Sequence, residues 1–153
     1  MSPQKQKIRS VRMKKIISAL KKKYPHARIV LNYKNNWELL VSVVLSAQCT
    51  DVRVNAVTKK LFKKYTTLDD YINASQKEFE QDIRQTGFFR NKAKNILAAA
   101  KLVKETFKEK LPRTMEEMLT IPGVARKTAN VVLGNAFGIV EGIAVDTHVR
   151  RFA

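Results

Sequence analysis

The sequence has 153 residues, of which 44% are hydrophobic and 28% are charged, so it has enough apolar material for the core of one domain and too much for a disordered chain. Its 30 Lys and Arg against 13 Asp and Glu give a formal net charge of +17, which favours nucleic acid or an anionic membrane as partner, although such charge can also merely solvate a surface. A single cysteine, Cys49, excludes an internal disulfide and a four-cysteine metal cage, and two histidines, His26 and His148, give no support for structural zinc.

The sequence lacks the features of a membrane anchor or a secretion signal. No apolar run approaches the roughly 20 residues that a membrane-spanning helix needs, and the N-terminus has no apolar stretch followed by a small-residue cleavage site. We therefore expect an intracellular protein.

Glycine and proline are scarce, at five and four residues, and most of them fall between segments with helical periodicity. This distribution predicts an all-α domain with short turns. The first predicted helix spans residues 8–23, is strongly basic and ends at Tyr24-Pro25. A helix lying on a membrane surface is one interpretation, but we favour a solvated helix with a small buried stripe. That stripe consists of Ile16, Ile17 and Leu20.

The next predicted element is an apolar, central helix. Residues 27–34 fit either a short strand or an apolar connector, and we favour the connector. Asn36 is the predicted N-cap of "WELLVSVVLSAQ", an apolar run long enough for a buried helix. A further helix is predicted at roughly 52–64. Its apolar face consists of Val54, Val57, Leu61 and Phe62.

Two patterns predict capping boxes, in which the first and fourth side chains satisfy each other's orphan backbone donors. One pairs Ser75 with Glu78 and the other pairs Thr114 with Glu117. Between them, residues 89–108 form a predicted helix with one apolar stripe and lysines on the other faces. The stripe, which we assign to the core, consists of Ala93, Ile96, Leu97, Ala100, Val103 and Phe107.

A helical hairpin is predicted at residues 115–137, with a helix at about 115–120, the tight turn "PGVA" and a helix at about 126–137. The second helix has the apolar face Ala129, Val132, Leu133 and Ala136. Gly123 permits the dihedral angles of a tight turn. The amides of the turn and of the following helix N-terminus then form an anion site, and a phosphodiester is the natural ligand beside Arg126. An ordinary hairpin with an incidental glycine is the alternative.

Lys127 follows Arg126 at the predicted start of that helix. The positive end of a helix dipole and a neighbouring cation both disfavour a protonated amine. A neutral lysine can attack carbon and form a Schiff base. The alternative is that Lys127 only contacts a phosphate.

Asp146 is a lone carboxylate within the apolar and basic segment "GIAVDTHVRRF". It suits the N-cap of a helix starting in "THVRR". An ionised carboxylate facing a sugar could instead stabilise a developing oxocarbenium ion or help to move protons. Both roles are compatible.

The combined motifs resemble those of the helix-hairpin-helix glycosylases, and within them the endonuclease III family. "LTIPGVARKTANVVLGNAFG" followed by "IAVDTHVRR" carries the resemblance, which extends upstream through "ELLVSVVLSAQCTDVRVNAVTKKLF" and "TGFFRNKAKNI". It covers roughly residues 36–153 without a large gap. The fold that it implies is an all-α helical bundle or barrel of the HhH-GPD type.

The resemblance implies a bifunctional DNA glycosylase and apurinic/apyrimidinic lyase that removes oxidised pyrimidines in base excision repair. Lys127 matches the Schiff-base lysine and Asp146 the catalytic aspartate; Gln48 matches the residue that fills the vacated stack, and Phe88 an intercalating wedge. Relatives that excise mispaired adenine lack the lysine, so they fit less well. The residues that match the phosphate-binding hairpin are Pro122, Gly123, Val124, Ala125, Arg126 and Thr128.

The same resemblance implies double-stranded DNA with a damaged base or an abasic site as partner, no membrane, a monomer, and a cytoplasmic, nucleoid-associated location.

Two features depart from the family pattern. Ala125 stands where the hairpin usually has a second glycine, so we expect a negative φ or a shifted turn, with weaker phosphate binding.

The larger departure is that the sequence stops at Ala153, without the four cysteines that hold a 4Fe–4S cluster in full-length relatives. We therefore expect a C-terminally truncated chain with no cofactor of its own. We expect it to consist of a basic helical segment and connector at 1–35 and a truncated HhH-GPD domain at 36–153.

Truncation leaves competing hypotheses. Asp146 lies seven residues before the end of the sequence, so we expect it to be poorly positioned, on a helix that frays. The alternative to an active enzyme is a catalytically impaired module that only binds DNA. A basic membrane-surface protein led by the first helix is a weaker third hypothesis.

Overall fold

The computed structural model describes residues 2–146, 149 and 151. In that part of the chain the structure is all-helical, without a strand, which confirms the predicted fold class. No helix within it is long and apolar enough to cross a bilayer. The helices are α1 (Pro3–Lys23), α2 (Asn36–Leu45), α3 (Asp51–Lys64), α4 (Leu68–Ile72), α5 (Gln76–Asp82), a 3-10 turn (Arg84–Thr86), α6 (Phe89–Phe107), α7 (Met115–Met118) and α8 (Arg126–Phe137).

Helix α2 is the centre of the core, as its apolar sequence predicts. Residues 38–45 are all buried, and α2 packs against α3, α6 and α8. Helix α6 in turn packs against α4 and α5. Each fully buried Leu or Val side chain contributes about 1.5–3 kcal/mol to the stability of the fold. The apolar residues of α2 therefore stabilise the packing of α3, α6 and α8 against it.

The predicted apolar stripes of α3, α6 and α8 all face this core. Most of their members are buried, and Phe62, Leu97, Phe107 and Ala136 are half-buried. One detail was wrong: not all lysines of α6 lie on its other faces, because Lys92 is buried with the stripe. Position 92 is four residues before Ile96, so the helical period places it on the buried face.

Helix α1 confirms the predicted basic helix, which begins earlier, at Pro3, and ends at Lys23 before Tyr24. Proline suits the first helical turn and the lysines of the last turn suit the negative end of the dipole. The predicted small buried stripe is wrong, since no residue of α1 is buried and Ile16 is 41% exposed.

The segment at 27–34 is a connector without a strand, as predicted. Its backbone is bound by one side chain of α3: Asn55 Oδ1 accepts from Asn32 N–H at 2.8 Å, and Asn55 Nδ2 donates to Val30 O at 2.9 Å. Leu31 between them is buried. An amide side chain has both a donor and an acceptor, so Asn55 can bind one N–H and one C=O of the connector, as the backbone of a neighbouring strand would.

The N-cap of α2 is Asn35 and not Asn36. Asn35 has extended backbone angles, and its Oδ1 accepts from Glu38 N–H at 2.9 Å. Glu38 Oε2 also accepts from Lys34 N–H at 2.6 Å. The prediction was one residue late because two adjacent asparagines suit the position equally well.

Of the two predicted capping boxes, one is wrong and one is half correct. The Ser75 side chain makes no capping hydrogen bond, and Glu78 instead pairs with Lys64 on α3 at 2.7 Å. Thr114 Oγ1 accepts from Glu117 N–H at 3.2 Å, as predicted. The Glu117 carboxylate accepts from the Thr114 hydroxyl at 2.7 Å rather than from its backbone N–H.

A complete capping box that we did not predict begins α4. Thr67 Oγ1 accepts from Asp70 N–H at 3.3 Å, and Asp70 Oδ2 accepts from Thr67 N–H at 2.7 Å. Hydrogen bonds from Thr67 and then Thr66 lower the pKa of the Asp70 carboxyl. The Ser/Thr-x-x-Asp pattern is the sequence signal for it.

Candidate nucleic-acid interface

The hairpin turn between α7 and α8 is anchored in the core. Helix α7 ends at Met118, two residues earlier than predicted, whereas α8 begins at Arg126 and ends at Phe137 as predicted. Ile121 and Val124 are buried, and Val124 N–H donates to Ile121 O at 3.0 Å. The turn is therefore fixed to the core through these two residues.

Gly123 is required in this turn for two reasons. Its φ is +79°, in the left-handed region. A Cβ at this position would lie 2.8 Å from Asn95 Cβ on α6, closer than real Cβ contacts allow. The turn thus packs directly on α6, a contact that the sequence did not reveal.

The backbone of α8 begins without a side-chain cap. Its N-cap is Ala125, with φ −95° and ψ 169°, so alanine occupies this position without strain. The first turn contains no acidic residue, and Arg126 and Lys127 are exposed while Thr128 is half-buried. Open amides at the positive end of a helix dipole, beside exposed cations, form an anion-binding surface. Pro122, the remaining predicted hairpin residue, is half-buried.

After α8 the chain turns back along the helix. Gly138 adopts φ +68°, and Ile139 N–H donates to Leu133 O at 3.1 Å. Asn130 Nδ2 then donates to Ile143 O at 3.4 Å, and Gly142 lies against the same side chain. Residues 127 and 130 are one turn apart on α8, so this contact tethers the segment before Asp146 on the side of Lys127.

Asp146 has the N-cap hydrogen bond expected of it. Its Oδ1 accepts from Val149 N–H at 2.8 Å, and the residue is half-buried. Thr147, His148 and Arg150, on which the predicted helix in "THVRR" also depends, lie outside the described residues. The cap bond orients the carboxylate relative to the backbone.

Gln48 and Phe88 lie on two neighbouring loops, one after α2 and one before α6. Gln48 is exposed with φ +53°, and Phe88 is 66% exposed with φ +47°. Gln48 and Gly87 line one cavity of about 480 Å³, which Arg53 and Arg84 also border. A left-handed backbone at non-glycine residues is strained, and such strain is concentrated at functional sites.

Lys92 is the residue of this region that sequence reasoning missed. Its Nζ donates to Leu45 O and to Thr86 O, both at 2.8 Å. Burial lowers the pKa of this ammonium. Its position on the apolar stripe of α6 was an available signal, but its two acceptors could not be inferred from the sequence.

The residues of this chain do not fit an iron–sulfur cluster. The sequence contains one cysteine, Cys49, where a 4Fe–4S cluster is held by four thiolates. Within residues 2–146, 149 and 151, no three His, Cys, Asp or Glu side chains are grouped to hold a metal ion.

Comparison with known proteins finds one family across most of the chain. Residues 41–153 match the model of the HhH-GPD superfamily base excision DNA repair protein. Endonuclease III of Synechocystis sp. is 52% identical over 142 residues, which cover 93% of this chain and 65% of the relative. Endonuclease III of Bacillus subtilis is 52% identical over 128 residues, covering 84% of this chain and 58% of the relative.

A solved structure has the same fold. It is a trapped endonuclease III–DNA covalent intermediate, an estranged-adenine complex, with a TM-score of 0.86 and 48% identity over 92% of this chain and 66% of the solved one. This chain thus spans less than two thirds of the length of both curated relatives.

Proposed function

This chain belongs to the HhH-GPD superfamily of base excision DNA repair proteins, and on that premise we propose that it is a bifunctional DNA glycosylase and apurinic/apyrimidinic lyase of the endonuclease III type. Its substrates are duplexes with an oxidised pyrimidine or an abasic site. The observation that carries the proposal is Lys127, an exposed amine in the first turn of α8 directly after the Gly123 turn.

The hairpin supplies the contact that brings Lys127 to a sugar. A phosphate bound by the open amides after Gly123 and by Arg126 lies beside the first turn of α8. Because each phosphate is joined to the neighbouring sugars, the amine of Lys127 is then close to a C1′ carbon. The contact is independent of base sequence, as a repair enzyme requires, and the net charge of +17 strengthens binding to any duplex.

Lys127 is the proposed nucleophile. Its Nζ forms a bond to C1′ while the bond from C1′ to the base breaks, and the base leaves with the electron pair and takes up a proton. The nitrogen then loses a proton, and its electron pair forms the C=N bond while the bond from C1′ to O4′ breaks. The sugar opens, O4′ takes up a proton, and a protonated imine results. Removal of a C2′ proton from that imine then expels the 3′ phosphate by β-elimination.

Asp146 is the proposed partner of Lys127. The charge that develops at C1′ as the base leaves is positive, so a nearby carboxylate stabilises it and can also accept a proton. The N-cap bond from Val149 N–H and the Asn130 tether support this role, because both restrict where the carboxylate lies.

The remaining proposed site residues act on the duplex rather than on the sugar. C1′ is inaccessible within a stacked helix, so the damaged nucleotide must leave the stack. Gln48 would fill the vacated space and Phe88 would wedge between bases. The exposure of both side chains and the shared cavity lined by Gln48 and Gly87 support this assignment.

The test is borohydride trapping on a duplex that contains one abasic site. We expect a covalent protein–DNA adduct with the wild type and none with Lys127→Ala. Arg126→Ala is the matched control: it removes the adjacent exposed cation, so it should weaken binding yet still form the adduct at saturating protein.

Two outcomes would contradict the proposal in different ways. An adduct that persists in Lys127→Ala would show that another amine is the nucleophile. Salt-sensitive binding of DNA without an adduct in any variant, including the wild type, would show that the chain binds DNA but does not act as a lyase.

A further inference from the structure

The ammonium of Lys92 is buried between the two loops that carry Gln48 and Phe88. The residue is 6% exposed, and its Nζ donates to Leu45 O and Thr86 O at 2.8 Å each. Leu45 is the last residue of α2, three residues before Gln48, and Thr86 ends the 3-10 turn, two residues before Phe88. One side chain therefore connects the starting points of both loops.

A buried cation costs free energy, so its position needs a physical reason. Both acceptors are backbone carbonyls at the C-terminal ends of helical segments, where the dipole is negative. These carbonyls have no further turn of their own helix to bind. A charged donor binds them more strongly than a neutral one would.

The bridge also limits the distance between the loops. Because both oxygens lie 2.8 Å from one nitrogen, they are no farther apart than twice that distance. That limit is shorter than two base-pair steps of about 3.4 Å each. The bridge therefore keeps the starting points of the two loops, three residues before Gln48 and two residues before Phe88, less than two such steps apart.

The strained backbone of both loops agrees with such a constraint. Gln48 and Phe88 have φ of +53° and +47°. A non-glycine residue keeps such left-handed backbone angles only where the surrounding structure holds it there. The hydrogen bonds from Lys92 Nζ at the start of each loop supply part of that restraint.

We propose that Lys92 is a positioning residue that sets the spacing between Gln48 and Phe88, so that both side chains enter a damaged duplex at the same site. The inference rests on the proposed function, since it assigns Lys92 a task in recognition of the lesion. Lys92 itself is buried and acts through the two loops.

The test compares binding of a duplex with a tetrahydrofuran abasic analogue against binding of the undamaged duplex, by fluorescence anisotropy. Lys92→Met keeps the length of the stem and removes the donors. We expect it to lower the preference for the abasic duplex by about tenfold, the scale of one strained or misplaced contact, while affinity for the undamaged duplex and its salt dependence stay unchanged. Lys94→Met, an exposed lysine on the same helix, is the matched control and should keep the preference.

A second comparison separates positioning from a merely structural role. In a chain that carries both Gln48→Ala and Phe88→Ala, Lys92→Met should have no further effect on the preference, because the side chains that it positions are gone. An equal loss in both backgrounds would overturn the proposal. So would a parallel loss of binding to undamaged DNA, or a Lys92→Met chain that stays unfolded at low temperature in a stabilising osmolyte.

The outcomes also distinguish the inference from the function on which it rests. A wild type without preference for the abasic duplex refutes the proposed function and this inference with it. A wild-type preference that Lys92→Met retains refutes the inference alone.

Discussion

Substitution of Gly123 by alanine gives a quantitative test of how the hairpin is built. At φ +79° an alanine is strained by about 1 kcal/mol. The added Cβ would also lie 2.8 Å from Asn95 Cβ, and such overpacking costs about 1–3 kcal/mol. Together these effects lower the free energy of unfolding by about 2–4 kcal/mol. At roughly 2–4 °C per kcal/mol for a chain of this size, the Tm falls by roughly 5–15 °C.

Gly138→Ala is the matched control for this experiment. Gly138 has φ +68°, but nothing lies within 4 Å of an added Cβ, so only the backbone strain applies. We expect that variant to lose about 1 kcal/mol. Urea denaturation followed by circular dichroism measures both free energies of unfolding.

A third variant isolates the contact with α6. Asn95→Gly removes the Cβ that the new methyl group would meet, at an intrinsic cost of about 0.3 kcal/mol, because asparagine is itself a poor helix former. In that background the cost of Gly123→Ala should fall to the cost of Gly138→Ala. Equal losses for Gly123→Ala and Gly138→Ala in the wild-type background would refute the reasoning, as would a cost that Asn95→Gly does not relieve.

Further predictions concern the helix caps and the proposed wedge. The main cause of the lowered pKa of Asp70 is the hydrogen bond from the backbone N–H of Thr67. The ionised carboxylate therefore stabilises the folded state fully above the usual pKa of Asp, and this stabilisation is lost as pH falls through the lowered pKa. The Tm of Asp70→Asn should therefore vary less with acid pH, and parallel pH curves in thermal melts would contradict this. Thr114→Ala should lose about 1 kcal/mol in urea denaturation, whereas Ser75→Ala, which removes no cap bond, should stay within about 0.5 kcal/mol; equal losses would contradict the assignment. Phe88→Gly removes about 1 kcal/mol of strain from the left-handed backbone at this position. Its thermal melt should therefore show an unchanged or higher Tm, while fluorescence anisotropy should show that the preference for abasic DNA is lost. A clearly lower Tm would count against strain at this position.

Features that depend on neighbouring residues were predictable from the sequence. Helix α8 has the predicted bounds because its apolar period and the Pro-Gly turn before it are both local. The backbone of Ala125 met the condition that an alanine requires, a negative φ. The same local signals identified the hairpin and Lys127, since the motif is contiguous in the chain.

Several local patterns were overridden by partners distant in sequence. Glu78 fits a capping box with Ser75, but Lys64 on another helix offers a charged partner at 2.7 Å. Residues of α1 fit a buried stripe, but periodicity cannot show whether a surface covers them. A pattern predicts which face of a helix is apolar, not which neighbour competes for a side chain.

The sequence by itself determined the class of fold, the succession of helices and the residues of the hairpin, because helical hydrogen bonds and side-chain periods join residues within a few positions. Only the tertiary structure decided that Asn95 lies under Gly123, that Asn130 tethers the segment before Asp146, and that Lys92 joins carbonyls 47 and 6 residues away. The physical reason is that each of these contacts depends on how helices pack, and packing is set by the whole core rather than by any one segment.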